Sequence, residues 1–456
     1  MTQRNDDPLP LTSPKRRNLV ADFSGGTISS DGGLLLLREA DLRIGLLDAL
    51  DAAIPDPRNP ALIRHPQRTL LAQRVFGIAC GYEDLNDHRS LRDDPLWQMA
   101  ADHPGPDGCP ELSSPPTLCR LENRVARAAL FRIASALVDA FVAAHPAPPA
   151  RLVLDFDATD DPVHGRQENR FFHGYYDGYC FLPLYVFCGD HLLAAYLRPA
   201  NIDGARHTRA VLKLLVGRLR QAWPNAKILM RSDSGFCRPK LLCWCDKNRV
   251  DYLVGLARNA VLERESQGWM EQAKAAFEAP ENGGNPRRVF GEFRYAAKSW
   301  DRARRVIVKA EYLAGGKPNP RYVVTSLTGE ARPLYEDDYC GRGEMENRIK
   351  EQQLGLFADR TSCHRFVANP FRVLLAAAAY VLVSHIRRVA LAGTELAAAQ
   401  VGTIRLKLFK VAALVTKTVR RLVVRLSGAC PNRETFRRAA ERLSAPPDPA
   451  PVPESG

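Results

Sequence analysis

The order of apolar runs between residues 152 and 255 constrains this chain more than any other feature. Residues 152–157, 179–188 and 192–197 are short runs rich in β-branched and aromatic side chains, and they read as three consecutive strands. Residues 205–222 carry an apolar face at helical spacing and predict a helix; 227–232 predicts a strand, 239–248 a helix and 252–255 another strand. Two of these strands run out into an aspartate. Arg151-Leu-Val-Leu-Asp-Phe-Asp-Ala-Thr159 ends its apolar run at Asp157, and Ile228-Leu-Met-Arg-Ser-Asp-Ser-Gly-Phe236 ends its own at Asp233. A later segment, Tyr339-Cys-Gly-Arg-Gly-Glu-Met-Glu-Asn-Arg-Ile-Lys-Glu351, reads as a helix carrying Glu346.

The β-β-β-α-β-α-β order is that of a ribonuclease H-like α/β core. Residues 260–325 interrupt it. A helix is expected over 261–279, then alternating, Arg-rich β sequence over 287–313 (Val289, Phe293, Val306, Val308), before 322–326 returns to the core. This stretch reads as an inserted, largely β subdomain. Residues 18–148 read as a mainly helical N-terminal domain that binds DNA, with a loop at 104–110 and a boundary at Pro146-Ala-Pro-Pro149. The catalytic domain spans 150–435. Residues 1–17 and the proline-rich 445–456 read as disordered tails. Residues 404–410 alternate apolar Ile404, Leu406 and Leu408 with Arg405 and Lys407, which predicts one buried face and one facing phosphate.

With 456 residues the chain is long enough for two or three domains. A formal net charge of +13 calls for a polyanionic partner. The opening segment has no apolar stretch typical of a secretory signal, so the eleven cysteines are expected to be reduced thiols of a cytoplasmic protein. Cys243-Trp-Cys245 is spaced too tightly for a zinc knuckle. The apolar run 373–386 reads as too short to span a bilayer, hence as a buried helix.

Two carboxylates at strand ends and one on a later helix suit a pair of Mg²⁺ ions acting on phosphate, with Mn²⁺ able to substitute. Asp157 is the candidate bridge between the two ions, and Asp233 and Glu346 complete one site each. Asp155 points to the same face of its strand as Asp157 and is the alternative first carboxylate. Each acid also has a structural reading: Asp233 before Ser234-Gly235 as a turn former, Glu346 as the i,i+4 partner of Lys350, with Glu344 its rival on the helix. Arg342, Glu346 and Lys350 stack on one helical face, so the two cations flank the carboxylate and aim at phosphates. Arg64, Arg68, Arg74, Arg89, Arg92, Arg120 and Arg124 form a candidate surface for reading DNA, and Arg287, Arg288, Arg294, Lys298, Arg302, Arg304 and Arg305 a second. His164 and His173 flank a polar loop after the first strand and read as ordinary loop histidines.

The spacing Tyr339-x2-Arg342-x3-Glu346 resembles the signature of DDE transposases of bacterial insertion sequences. Asp157-Ala-Thr159 and Arg231-Ser-Asp-Ser-Gly-Phe236 are similar to that family's first and second Asp motifs. Gly81-Tyr-Glu-Asp-Leu-Asn-Asp87, Leu91-Arg-Asp-Asp-Pro95 and Pro116-Thr-Leu-Cys-Arg-Leu-Glu-Asn123 resemble its group 1, in the branch with a β-rich insertion between the second and third carboxylates. The resemblance covers residues 20–435. It implies catalytic, metal-binding Asp157, Asp233 and Glu346; DNA-binding Tyr339, Arg342 and Lys350; and double-stranded transposon ends and target as substrates. It also implies a homodimer on paired ends and metal-dependent hydrolysis followed by strand transfer. One departure stands out: the signature's Lys, which follows the Glu after six intervening residues, is Gln353 here. The competing expectations are a nuclease or integrase on the same core, and a non-catalytic DNA-binding relic of a transposase.

Overall fold

Period-two alternation carries the runs between 152 and 325 into one sheet, because each strand buries apolar residues on at least one face. The computed structural model describes residues 8–102, 111–418 and 420–445. The outer parts of both expected tails and all of the expected 104–110 loop lie outside these. The chain divides into two units, one built from 48–55 and 122–384, the other from the segment through Leu47, Asp56–Leu121 and the segment from His385.

The central sheet of the larger unit has eight strands: β1 (Leu152–Ala158), β2 (Leu184–Cys188), β3 (His191–Tyr196), β4 (Ile228–Ser232), β5 (Asp251–Leu256), β6 (Arg287–Tyr295), β7 (Arg304–Tyr312) and β8 (Arg321–Thr325). They lie in the order β6-β7-β8-β5-β4-β1-β2-β3. Only β1–β4 and β4–β5 pair parallel. Helices α1 (Thr208–Ala222) and α2 (Pro239–Lys247) make the crossovers between β3 and β4 and between β4 and β5. The sheet is therefore mixed α/β, as the order of runs predicts.

The two faces differ. Leu152, Leu154, Phe156, Met230 and Val254 join Leu212, Leu219 and Leu241 of the crossover helices in the main core. Burying side chains of this size stabilises by about 1.5–3 kcal/mol each. The opposite face carries Leu229, Leu253, Ile307 and Val323, packed on Leu334 and Tyr335 from the segment after β8. By alternation, Asp155, Asp157, Arg231, Asp233 and Gly255 belong to this second face. The segment that covers it leads into α3 (Gly343–Lys350), the helix of Glu346.

Three local expectations change. Residues 179–188 are not one strand. Gly178–Phe181 pairs with Phe171–His173 and Asp161–Pro162 in a separate three-stranded sheet, and β2 starts only at Leu184. Pro183 stands at the break and has no N–H to give a ladder. The β sequence of 287–325 is not a separate subdomain: β8 pairs with both β7 and β5, so these strands extend the central sheet. The helix expected over 261–279 breaks at Ser266 into Ala260–Glu265 and Gln267–Glu278.

The other unit combines helices such as Leu34–Ile44, Gln67–Cys80 and Arg433–Ser444 with a three-stranded sheet of Ile28–Ser29, Ala413–Lys417 and Leu422–Leu426. Its buried Asp31 accepts from Lys410 Nζ (2.7 Å), Tyr82 Oη (2.9 Å) and Trp97 Nε1 (3.1 Å). Residues 404–410 are helical rather than extended. Ile404 and Leu408, four apart, are buried, while Leu406 is 72% exposed. Arg405 donates to the carbonyls of Ala79 and Ile78 rather than facing solvent.

The sequence places a long apolar helix over 370–389, and the observed one extends slightly beyond both ends. It runs Ala368–Ala390, 23 residues, enough in length and composition to cross a membrane, yet 83% of its apolar window is buried inside the protein, as in a core helix.

Candidate active site

The parallel register sets the first two acids side by side. Phe156 pairs with Ser232 across β1 and β4, so the next residues along, Asp157 and Asp233, leave neighbouring strands at the same level. Asp157 Oδ1 accepts from the N–H of Ala158 at 2.9 Å. Asp233 Oδ1 accepts from the N–H of Gly235 at 2.9 Å and caps the single turn Ser234–Phe236, which fixes its backbone at the strand end. The turn-forming and the functional readings of Asp233 are thus compatible.

Glu346 approaches from the covering segment, and Arg342 links it to the strands. Arg342 Nη1 lies 3.2 Å from Asp157 Oδ2 and Nη2 lies 3.5 Å from Glu346 Oε1. The partner of Glu346 one turn away is therefore Arg342. Lys350 is exposed and makes no ion pair among the described residues. Burial pushes the Asp157 carboxyl up to about 6; Arg342 pulls it down, while the charges of Asp233 and Glu346 push it up. Asp233 and Glu346 thus both act electrostatically on Asp157. Burial opposes the charge of Arg342, but Asp157, Tyr339, Asp233 and Glu346 together hold its pKa above the ordinary value.

Asp155, the alternative first acid, has a different setting. It is held in a buried, two-point ion pair by Arg231, at 2.5 Å (Nε–Oδ1) and 2.6 Å (Nη2–Oδ2). Burial raises its pKa and Arg231 opposes the rise. Arg231 also donates to the Asp338 carbonyl, tying β4 to the segment that delivers Arg342. Sequence reasoning did not assign Arg231 this part, although its position two residues before Asp233 puts it on the acid-bearing face.

Gly255 of β5 is a second residue that the sequence did not single out. A Cβ there would lie 2.6 Å from Tyr339 Oη, 2.7 Å from the Ser234 nitrogen and 3.0 Å from the Asp233 carbonyl carbon. Only hydrogen fits, so Tyr339 lies down on the Asp233 turn. Burial, foremost, raises the Tyr339 phenol, with Arg342 lowering it and Asp233 raising it. Gln353, standing where a Lys was expected, donates to the Asp160 carbonyl at 2.7 Å and clamps the end of the Glu346 segment to the loop after β1. Nearby, Thr361 Oγ1 donates to the fully buried Asp161 at 2.8 Å.

Three carboxylates are the hard oxygen donors that Mg²⁺-type cations take. In kind, therefore, the set fits such an ion. In this arrangement the Arg342 guanidinium supplies the compensating charge, and no group of three His, Cys, Asp or Glu is gathered tightly enough to hold a metal among the described residues. His173 packs on Tyr176 with the rings tilted and their centres 5.0 Å apart, and His164 is exposed.

The arginines of the two expected DNA surfaces separate into groups. Arg74 is buried against His88 and the Glu83 carbonyl, and Arg68 is paired with Asp41 and Asp102. Arg304 is buried between Asp246 and Asp301, and Arg305 is bound to Glu292. These hold the fold. Arg64, Arg89, Arg120, Arg287, Arg294 and Lys298 are exposed.

No curated protein matches the chain. One solved structure that it is similar to is that of a piggyBac transposase synaptic complex with hairpin DNA, at 13% identity and a TM-score of 0.38, covering 92% of this chain and 83% of the other. The sequence matches the family described as transposase DDE domain, group 1, over residues 11–447. The chain therefore belongs to the DDE transposases of group 1.

Proposed function

We propose that this protein is an insertion-sequence transposase that binds the inverted repeats at transposon ends, cleaves them and joins them to target DNA. The observation that carries the reading is the convergence on Arg342 of Asp157 and Asp233, at the ends of two parallel strands, and Glu346, from the helix that follows. The β3-β2-β1-β4-β5 order, with β1–β4–β5 parallel and β2 and β3 antiparallel, favours a ribonuclease H-like core. DDE transposases generally use divalent metal ions.

In this reading Asp157, Asp233 and Glu346 would hold the divalent ions. Bound there, Mg²⁺ (or Mn²⁺) would ease deprotonation of water and neutralise charge building on the phosphate. Arg342, beside Asp157 and Glu346, would offer its two-pronged guanidinium to a phosphate oxygen. Lys350, one turn beyond Glu346, offers a point charge to the next phosphate. Tyr339, lying on the Asp233 turn, orients the scissile phosphate through its hydroxyl. In the first step a water oxygen bonds to phosphorus, the bond to the 3′ oxygen breaks, and that oxygen takes a proton. The 3′-OH then attacks a target phosphodiester and displaces its 3′ oxygen, so the number of phosphoester bonds is conserved. The enzyme works in the cytoplasm on nucleoid DNA as a homodimer, since two ends must be cut and joined together. Residues 18–148 contribute recognition of the ends through exposed arginines such as Arg64 and Arg89.

Asp157→Ala, Asp233→Ala and Glu346→Ala test the reading by gel-shift and cleavage assays on end DNA. Cleavage should vanish in all three while end binding stays within a few-fold. Cleavage surviving in any one removes that residue from the site.

A further inference from the structure

The small sheet that follows β1 has two unlike faces. Phe171 and Cys180 turn inward and pack with Leu182, Ala200 and Tyr176. That satisfies the hairpin's need for an apolar face. Its outward positions should then be polar, yet they hold Phe172 and Tyr179, directly opposed across the hairpin with ring centres 5.8 Å apart. Phe172 is 55% exposed, Tyr179 50%, and Tyr175 at the tip 85%. The Arg170 guanidinium lies 4.6 Å from the centre of the Tyr179 ring. No exposed large aliphatic side chain interrupts the group.

We infer that this outward face is a stacking platform for exposed nucleobase faces of DNA near the cleavage site, with Tyr175, Phe172 and Tyr179 as the contacts. The inference rests on the reading of the chain as a DNA-cutting enzyme. Aromatic planes joined by an arginine stack on bases irrespective of sequence, because every base has a π-face. Residues 163–181 carry two arginines against one Glu and one Asp, so phosphate attraction does not account for the surface. Its position does. Tyr176 Oη donates to the Ala158 carbonyl at 3.3 Å, which fixes the hairpin to the residue after Asp157. On the other side Glu168 bonds the backbone of His364 and Phe366, beyond the Glu346 segment. The platform is thus anchored next to the first carboxylate and to the turn that follows the segment of the third.

Bases stacked inside a continuous duplex offer no face. An unpaired base, or the terminal pair of a cut end, does. The test is fluorescence anisotropy with the full chain and three labelled duplexes carrying the same end sequence: blunt, with an unpaired overhang, and with that overhang made abasic so that its phosphates remain. Wild type should bind a base-bearing DNA roughly tenfold or more tightly than the abasic one, the scale of a lost base–aromatic stack. Preference for the overhang identifies unpaired bases, and preference for the blunt end identifies the terminal pair.

Tyr175→Ala should lose the preference and Tyr175→Trp keep it. Because Tyr175 is almost fully exposed, neither change threatens the fold. Equal preference in Tyr175→Ala and in Phe172→Ala/Tyr175→Ala overturns the platform, even if metal-dependent cleavage is normal. A change of oligomeric state in these variants, with DNA preference intact, also overturns it and makes the patch a protein interface. If wild type binds none of the three DNAs, the underlying reading fails with it.

Discussion

Replacing Arg231 with Met isolates the part played by the buried charge pair beneath the site. The Arg231 and Asp155 side chains are 12% and 6% exposed, and two short hydrogen bonds join them. Removing the cation leaves Asp155 buried and uncompensated, and also takes away the link to the Asp338 carbonyl. Breaking a buried pair in this way costs about 3–5 kcal/mol. At about 2–4 °C per kcal/mol for a unit of some 270 residues, the melting midpoint should fall by roughly 6–20 °C. The double variant Arg231→Met/Asp155→Leu removes both charges and should recover most of the loss, since apolar replacement of a whole pair is often near neutral. Urea unfolding followed by circular dichroism measures all three proteins. If Arg231→Met lies within about 1 kcal/mol of wild type, or the double variant is no better than the single, the pair is not what holds β1, β4 and the Arg342 segment together.

Three further outcomes are expected. Gly255→Ala places a Cβ against the backbone of Asp233 and Ser234, so end cleavage should drop at least tenfold with DNA binding kept; unchanged cleavage removes the close approach from the site's geometry. Arg342→Ala should lower cleavage by about 10²–10³, the usual effect of losing one charge-stabilising donor, and single-turnover kinetics decide it. Burial pushes the Asp161 carboxyl up to about 8. The folded protein then keeps a proton that the unfolded chain releases near pH 4, so this group's contribution is fully present below pH 4 and is lost as pH rises through about 8. Asp161→Asn should therefore flatten the fall in stability across that window, and midpoints measured from pH 5 to 8.5 that fall as steeply as wild type would refute it.

The strands that carry the acids were legible because their periodicity and their ends coincide. An apolar run that stops at Asp157 or Asp233 marks a strand leaving the core. The helix of Glu346 was equally visible from the four-residue spacing of Arg342, Glu346 and Lys350. What stayed hidden depends on partners distant in sequence. Asp155 and Asp157 look alike two residues apart, and their different partners, Arg231 on another strand and Arg342 on the later segment, tell them apart. The alternation at 404–410 is ambiguous because Ile404 and Leu408 also sit one helical turn apart, and burial against the rest of their unit selects the helix. The strands of 287–325 could be seen, but their pairing with β5 through β8 could not, because strand order is a long-range property. Arg74 and Arg304 count toward net charge yet are consumed by internal partners, so charge alone overstated the surface available to DNA.

The central claim is that one metal-dependent site built on Asp157, Asp233 and Glu346 cuts DNA at transposon ends. Its most direct test is cleavage of labelled DNA carrying the element's own ends, with Mg²⁺ or EDTA, by wild type and Asp233→Ala side by side. Nicking at the end boundary that requires both Mg²⁺ and Asp233 is the predicted result. Cleavage without regard to the ends, cleavage in EDTA, or equal cleavage by Asp233→Ala would contradict it, as would binding of the ends without cutting by either protein.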